Sequence, residues 1–87
     1  MRLRPAVQWF AEQMEQQLRA NDRKGGWSRE TWRWLLDRLL DEAHELEAAC
    51  LSGEGASIIR EAGDLANFAM MIADNAIRDE RKVRGAR

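Results

Sequence analysis

Two pairs of acidic residues, each three positions apart, define the chemistry open to this chain: Glu42 with Glu45, and Glu61 with Asp64. Residues i and i+3 share a face of an α-helix. Both pairs fall within helical patterns and interrupt apolar stripes. One stripe reads Trp32, Leu35, Leu39, Glu42, Leu46, Ala49; the other reads Ile58, Glu61, Leu65, Phe68, Ile72. A carboxylate in an apolar seam is costly unless something pairs with it. If the two pairs face each other near 4 Å, each pair of charges repels by about 4 kcal/mol at an effective dielectric of about 20. Such a pocket needs bound cations. An all-oxygen donor set of this kind suits Mg²⁺, or Mn²⁺. The alternative is that the acids are solvated helix surface.

The elements that must position these acids are three helices. Pro5 suits a first helical turn, and Val7, Phe10, Met14 and Leu18 recur at helical spacing to about Ala20. The block Asn21-Asp22-Arg23-Lys24-Gly25-Gly26 ends that helix in a flexible loop. Ser28 is the expected N-cap of a second helix, opened by Glu30 and Thr31 and running to about Cys50, roughly 33 Å. Ser52-Gly53-Glu54-Gly55 breaks it. Ser57 is the expected cap of a third helix reaching about Lys82, with a frayed tail over 83–87. The third helix is apolar over a wider arc than one neighbour covers, and its alanines permit close packing, so a second chain is expected against it. No strand pattern or repeat is present. The fold class is therefore all-α: a single domain over 1–87, a helical bundle completed by homo-oligomerisation.

Composition narrows the functions further. Eighty-seven residues make one small domain, and a chain this short buries a limited share of its surface, which favours oligomers. A net charge of −1 gives no case for nucleic acid or an anionic membrane as partner. The acids are nonetheless concentrated: 41–64 holds seven against the single Arg60. The one cysteine, Cys50, cannot form an intrachain disulfide and fits a reducing cytoplasm. No apolar run approaches a membrane span.

Taken as a pattern, the motif E-x-x-E, 15 intervening residues and E-x-x-D resembles the MazG-like branch of the all-α nucleoside triphosphate pyrophosphohydrolases. Asp41 fills the place of the additional acid that often opens the first motif. The likeness extends upstream to Phe10–Met14 and to Asn21–Trp27, and downstream to Asp64–Asn75. It covers roughly residues 8–76 and looks like the short single-domain members of phages and bacteria. It implies Mg²⁺-dependent cleavage of a nucleoside triphosphate to the monophosphate and pyrophosphate; the broad apolar face of the third helix adds the expectation of a homodimer or homotetramer. Glu42, Glu45, Glu61 and Asp64 would then hold metal, which polarises phosphoryl oxygens and activates water, with Glu45 the candidate general base.

Three further residues are candidates for substrate binding. Lys24 offers a point charge to a phosphate. Trp27 offers a face for a base, or else plugs the core. Asn67, three residues past Asp64, could hydrogen-bond the ligand or a metal-bound water, or serve helix packing. Trp9, Trp32 and Trp34 read as packing or interface residues, and Arg78 as a solvated helix end or a phosphate contact. Asp41-x-x-His44 approximates a di-iron motif, but that chemistry needs a second histidine and the chain has one. Two rivals remain: a non-enzymatic helical partner protein, and a dUTP or phosphoribosyl-ATP hydrolase of the same superfamily.

Overall fold

The computed structural model describes residues 1–85. It contains three α-helices: α1 (Pro5–Ala20), α2 (Trp32–Ser52) and α3 (Gly55–Gly85), with a short 3₁₀ turn at Asp22–Lys24. No strand occurs among the described residues. The long helix α3 packs against both others, while α1 and α2 do not pack on each other. The all-α, three-helix expectation therefore holds for the single chain. None of the helices is long and apolar enough to cross a membrane.

Each helix end has a local cause. Pro5 opens α1, where its missing N–H costs nothing. Asn21 closes it, with its amide donating to the Gln17 carbonyl at 2.9 Å. Thr31, not Ser28, caps α2: its hydroxyl accepts from the Trp34 N–H at 3.1 Å. Ser28 lies in a turn that bonds Glu30 N–H to the Trp27 carbonyl, which delays the helix start. Gly53 closes α2 in the left-handed region at φ +73°, a conformation glycine adopts without strain. Glu54, not Ser57, caps α3. Its carboxylate accepts from the N–H groups of Ala56 and Ser57 at 3.0 and 2.9 Å. The Ser57 hydroxyl and then these two N–H groups hold its carboxyl below the usual range. Only Gly53 and Glu54 separate α2 from α3, so the two form an antiparallel hairpin. Helix α3 continues through Val83–Gly85, part of the expected frayed tail; residues 86 and 87 lie outside the described residues.

The core is thin. Among the described residues Leu35 is the one large side chain that is fully enclosed; Ala49, about 21 Å further along α2, and Gly63 and Asn67 of α3 are the other buried residues. Helix α1 has no fully buried residue; Phe10, Met14 and Leu18 are half-buried, and side-chain hydrogen bonds add to its attachment. The Asn67 amide donates to the Met14 carbonyl at 3.0 Å, and the Gln17 amide donates to Asp64 at 2.9 Å. Gly63 sits between, where a Cβ would meet Gln17 Cγ at 3.6 Å. Trp32, placed by its spacing in the apolar stripe of α2, is instead 60% exposed at the first residue of the helix.

This arrangement makes Leu35 the mechanical centre of the domain. Leu35→Ala should cost about 2–5 kcal/mol, against about 1 kcal/mol for loss of the Thr31 cap. Urea unfolding of both variants measures the difference; equal losses would mean that the core is not centred on Leu35.

Candidate metal centre and adjoining cavity

The hairpin brings the acids of α2 and α3 together. Glu42, Glu61 and Asp64 each offer a carboxylate oxygen, and all three oxygens lie within 4.8 Å of one another. At that spacing an ionised pair repels by about 3 kcal/mol or more at an effective dielectric of about 20. Two of the acids have a partner. Glu61 lies 3.6 Å from Arg60 Nε, and Asp64 accepts from Gln17. Glu42 has no basic or amide partner among the described residues: its Oε2 is buried with no hydrogen-bond donor in reach. Burial first, then a proton shared with Glu61, then the charges of Asp64, Glu61 and Glu45 push the Glu42 carboxyl up to about 7. A buried acceptor that lacks a donor takes either a proton or a cation, and this donor set is hard oxygen throughout. The residues present therefore fit a divalent metal.

Glu45 stands apart from the trio. It lines the same open hollow, together with Asp41, His44 and Arg38, but it is exposed and outside the set of mutually close oxygens. His44 also reaches this rim, although its position two residues after Glu42 points it round the helix.

A second cavity, of about 410 Å³, adjoins the acids. Gln17 and Leu18 of α1, the Asp22–Trp27 loop, Trp34, Leu35 and Arg38 of α2, and Asn67, Phe68 and Met71 of α3 form its walls. The sequence candidates Lys24, Trp27 and Asn67 all line it. Trp27 is pinned as well as presented. Its indole N–H donates to Asp74 at 3.0 Å, and the Asn75 amide holds the Trp27 carbonyl at 3.0 Å. The same amide reaches the Glu30 carbonyl at 3.4 Å, so the Gly-Gly loop is fastened to α3 at two points. Gly25, at φ +88°, lets the chain turn there. Asn67 is 4% exposed; its amide N–H is used by Met14, and its Oδ1 is buried without a partner. Arg78 lines neither hollow and pairs with Asp74 at 2.9 Å.

Three contributors were not singled out from sequence, Gln17, Arg38 and Asp74, and Trp34, expected to serve packing or an interface, lines the cavity. Arg38 had a signal, since it lies four residues before Glu42 on the same helix face. Gln17 and Asp74 act through partners 47 residues away, which no local pattern marks. Comparisons with protein-family models, with curated proteins and with solved structures find no match for this chain.

The unpartnered carboxyl makes metal-free stability depend on pH. The folded value of Glu42, about 7, lies above its ordinary 4.5. The native state thus binds more protons between those values, and this contribution is full below 4.5 and lost as pH rises through 7. With chelator present, the melting temperature should rise on going from pH 8 to pH 5.5. Glu42→Gln should flatten that rise and stabilise the protein at pH 8. An unchanged slope in Glu42→Gln would assign the effect to other groups.

Proposed function

We propose that this chain is a Mg²⁺-dependent nucleoside triphosphate pyrophosphohydrolase, cutting between the first and second phosphates. The observation that carries it is the buried, donorless Oε2 of Glu42 among two further acids, beside a cavity within the size range of small-molecule sites. The motif resemblance supports the same chemistry.

In this reading Glu42, Glu61 and Asp64 hold the metal, with Mn²⁺ an acceptable substitute. Bound there, the ion supplies Lewis-acid polarisation of phosphoryl oxygens and a water of lowered pKa. The chain's own residues do the remainder. Gln17 fixes the orientation of the Asp64 carboxylate through its 2.9 Å bond. Glu45, on the rim and outside the trio, is free to take a proton from the attacking water. Trp27, Trp34 and Phe68 give the cavity aromatic faces for a base, where stacking is worth about 1–3 kcal/mol. Lys24 adds a cation to the cavity wall, and Asn67 Oδ1 an acceptor.

Pyrophosphate release from a panel of NTPs and dNTPs, with Mg²⁺ and with chelator, tests the reading. Asp64→Asn and Glu45→Gln should each remove most of the activity while circular dichroism stays unchanged. Mg²⁺ at 100 times its Kd should add about 2.7 kcal/mol of stability at pH 7 and little near pH 5, where protons occupy the site. Full turnover in either variant, or no Mg²⁺ shift, removes those carboxylates from the chemistry. The same panel distinguishes dUTP- or phosphoribosyl-ATP-type relatives.

Assembly belongs to the same proposal. A core built on one enclosed leucine leaves Trp9 47%, Trp32 60%, Leu51 83% and Val83 62% exposed in the single chain. A homodimer or homotetramer would cover such side chains. These exposed groups equally favour the second reading, a helical partner protein without catalysis, which the absence of pyrophosphate release would support. Light scattering at micromolar concentration should give at least twice the 10.1 kDa chain mass; a monodisperse monomer would refute self-assembly.

A further inference from the structure

Three residues line both the acid hollow and the adjoining cavity: Arg38, Glu42 and Asp64. Two of them belong to the carboxylate trio. The third is the one cation at the junction among the described residues, since Lys24 lines only the cavity and His44 only the acid hollow. We propose that Arg38 is the binding group for the first phosphate of a nucleotide, the phosphate that joins the nucleoside in the cavity to the outer phosphates at the acids. The assignment rests on the nucleotide reading above and adds to it a place for one phosphorus atom.

The geometry supports this in three ways. A ligand that fills the cavity and reaches the trio must cross the place where the two hollows meet. In a nucleoside triphosphate the group at that place is the first phosphate, because it is bonded to the sugar on one side and to the outer phosphates on the other. Next, the crossing is otherwise anionic: Glu42 and Asp64 face an incoming phosphate with like charge, and Arg38 opposes them. Finally, the guanidinium has capacity to spare. Its Nη1 bonds Asp41 Oδ2 at 3.2 Å, and among the described residues its remaining N–H groups make no hydrogen bond. That ion pair is exposed on both sides, 46% and 64%, so it holds weakly. A planar fork with five donors can keep one N–H on Asp41 and turn two to a phosphate. Asp41, the acid at the head of the first motif, then acts by steering Arg38 and not as a metal ligand.

The first phosphate stays with the nucleoside after cleavage, which gives a distinctive test. Calorimetric titrations of wild type, Arg38→Met and Arg38→Lys, in Mg²⁺, use three probes: deoxynucleosides, deoxynucleoside monophosphates and inorganic pyrophosphate. Arg38→Met should weaken monophosphate binding at least tenfold, about 1.4 kcal/mol. It should leave deoxynucleoside and pyrophosphate binding within twofold, and Arg38→Lys should recover part of the loss. Equal weakening of all three probes would show a packing or general-charge role and overturn the assignment. Unchanged monophosphate binding, or a wild type that binds no monophosphate, would overturn it as well. Arg38-dependent monophosphate binding in a wild type that releases no pyrophosphate from any triphosphate would support the phosphate site and remove only the hydrolase reading. Circular dichroism on each variant confirms folding, which an exposed helical position should preserve.

Discussion

Repulsion among three carboxylates drawn to one helix seam is the constraint on which the rest of this structure depends. Each acid is relieved differently. Glu61 has an arginine beside it, Asp64 has the amide of Gln17, and the Oε2 of Glu42 has no donor among the described residues. The load therefore concentrates on one buried oxygen, whose relief must come from a proton or a metal ion. A domain with a single fully enclosed leucine has little stability to spare for such a cluster. It is held by a tight hairpin, where Gly53 and Glu54 cap both helices within two residues.

Helix α3 organises everything else from one face. Glu61 and Asp64 supply acids, Asn67 and Phe68 wall the cavity, and Asp74 and Asn75 fasten the loop that carries Trp27. From Glu61 to Asn75 this row spans about 21 Å of helix. Acids, cavity and loop thus share a single rigid ruler. Helix α2 faces the ruler along its length, and α1 is laid across it through Asn67 and Gln17. A shift of α3 would move the acids, the wall and the loop clamp together.

Much of this was legible in the sequence, and the misses share a cause. The limits of α1 match its proline start and its loop exit, because both are local backbone effects. The starts of α2 and α3 fell later or earlier than Ser28 and Ser57 suggested. Several residues near each start can cap, and the geometry of the preceding turn decides among them. Periodicity located Glu42, Glu61 and Asp64 in one seam, since hairpin packing follows the apolar stripes. It could not separate Glu45 from the trio, for i and i+3 differ by enough rotation to put one carboxylate inside and the other on the rim. Trp32 lies on the same stripe as Leu35, yet stays exposed at the first residue of α2. Gln17 reports where α1 docks, which is a matter of tertiary placement alone.

The attachment of α1 bears on how the molecule comes apart. Contacts between α2 and α3 are local to a hairpin, whereas the side-chain bonds that tie α1 and its loop to α3 join residues 45 to 53 positions apart. With no fully buried residue of its own, α1 is expected to detach more readily than the hairpin opens. Its departure would strip Gln17 from Asp64 and open one wall of the cavity while the hairpin stays folded. The acid trio and the pocket beside it then belong to different cooperative units: one persists through partial opening of the chain, and the other exists only when α1 is seated.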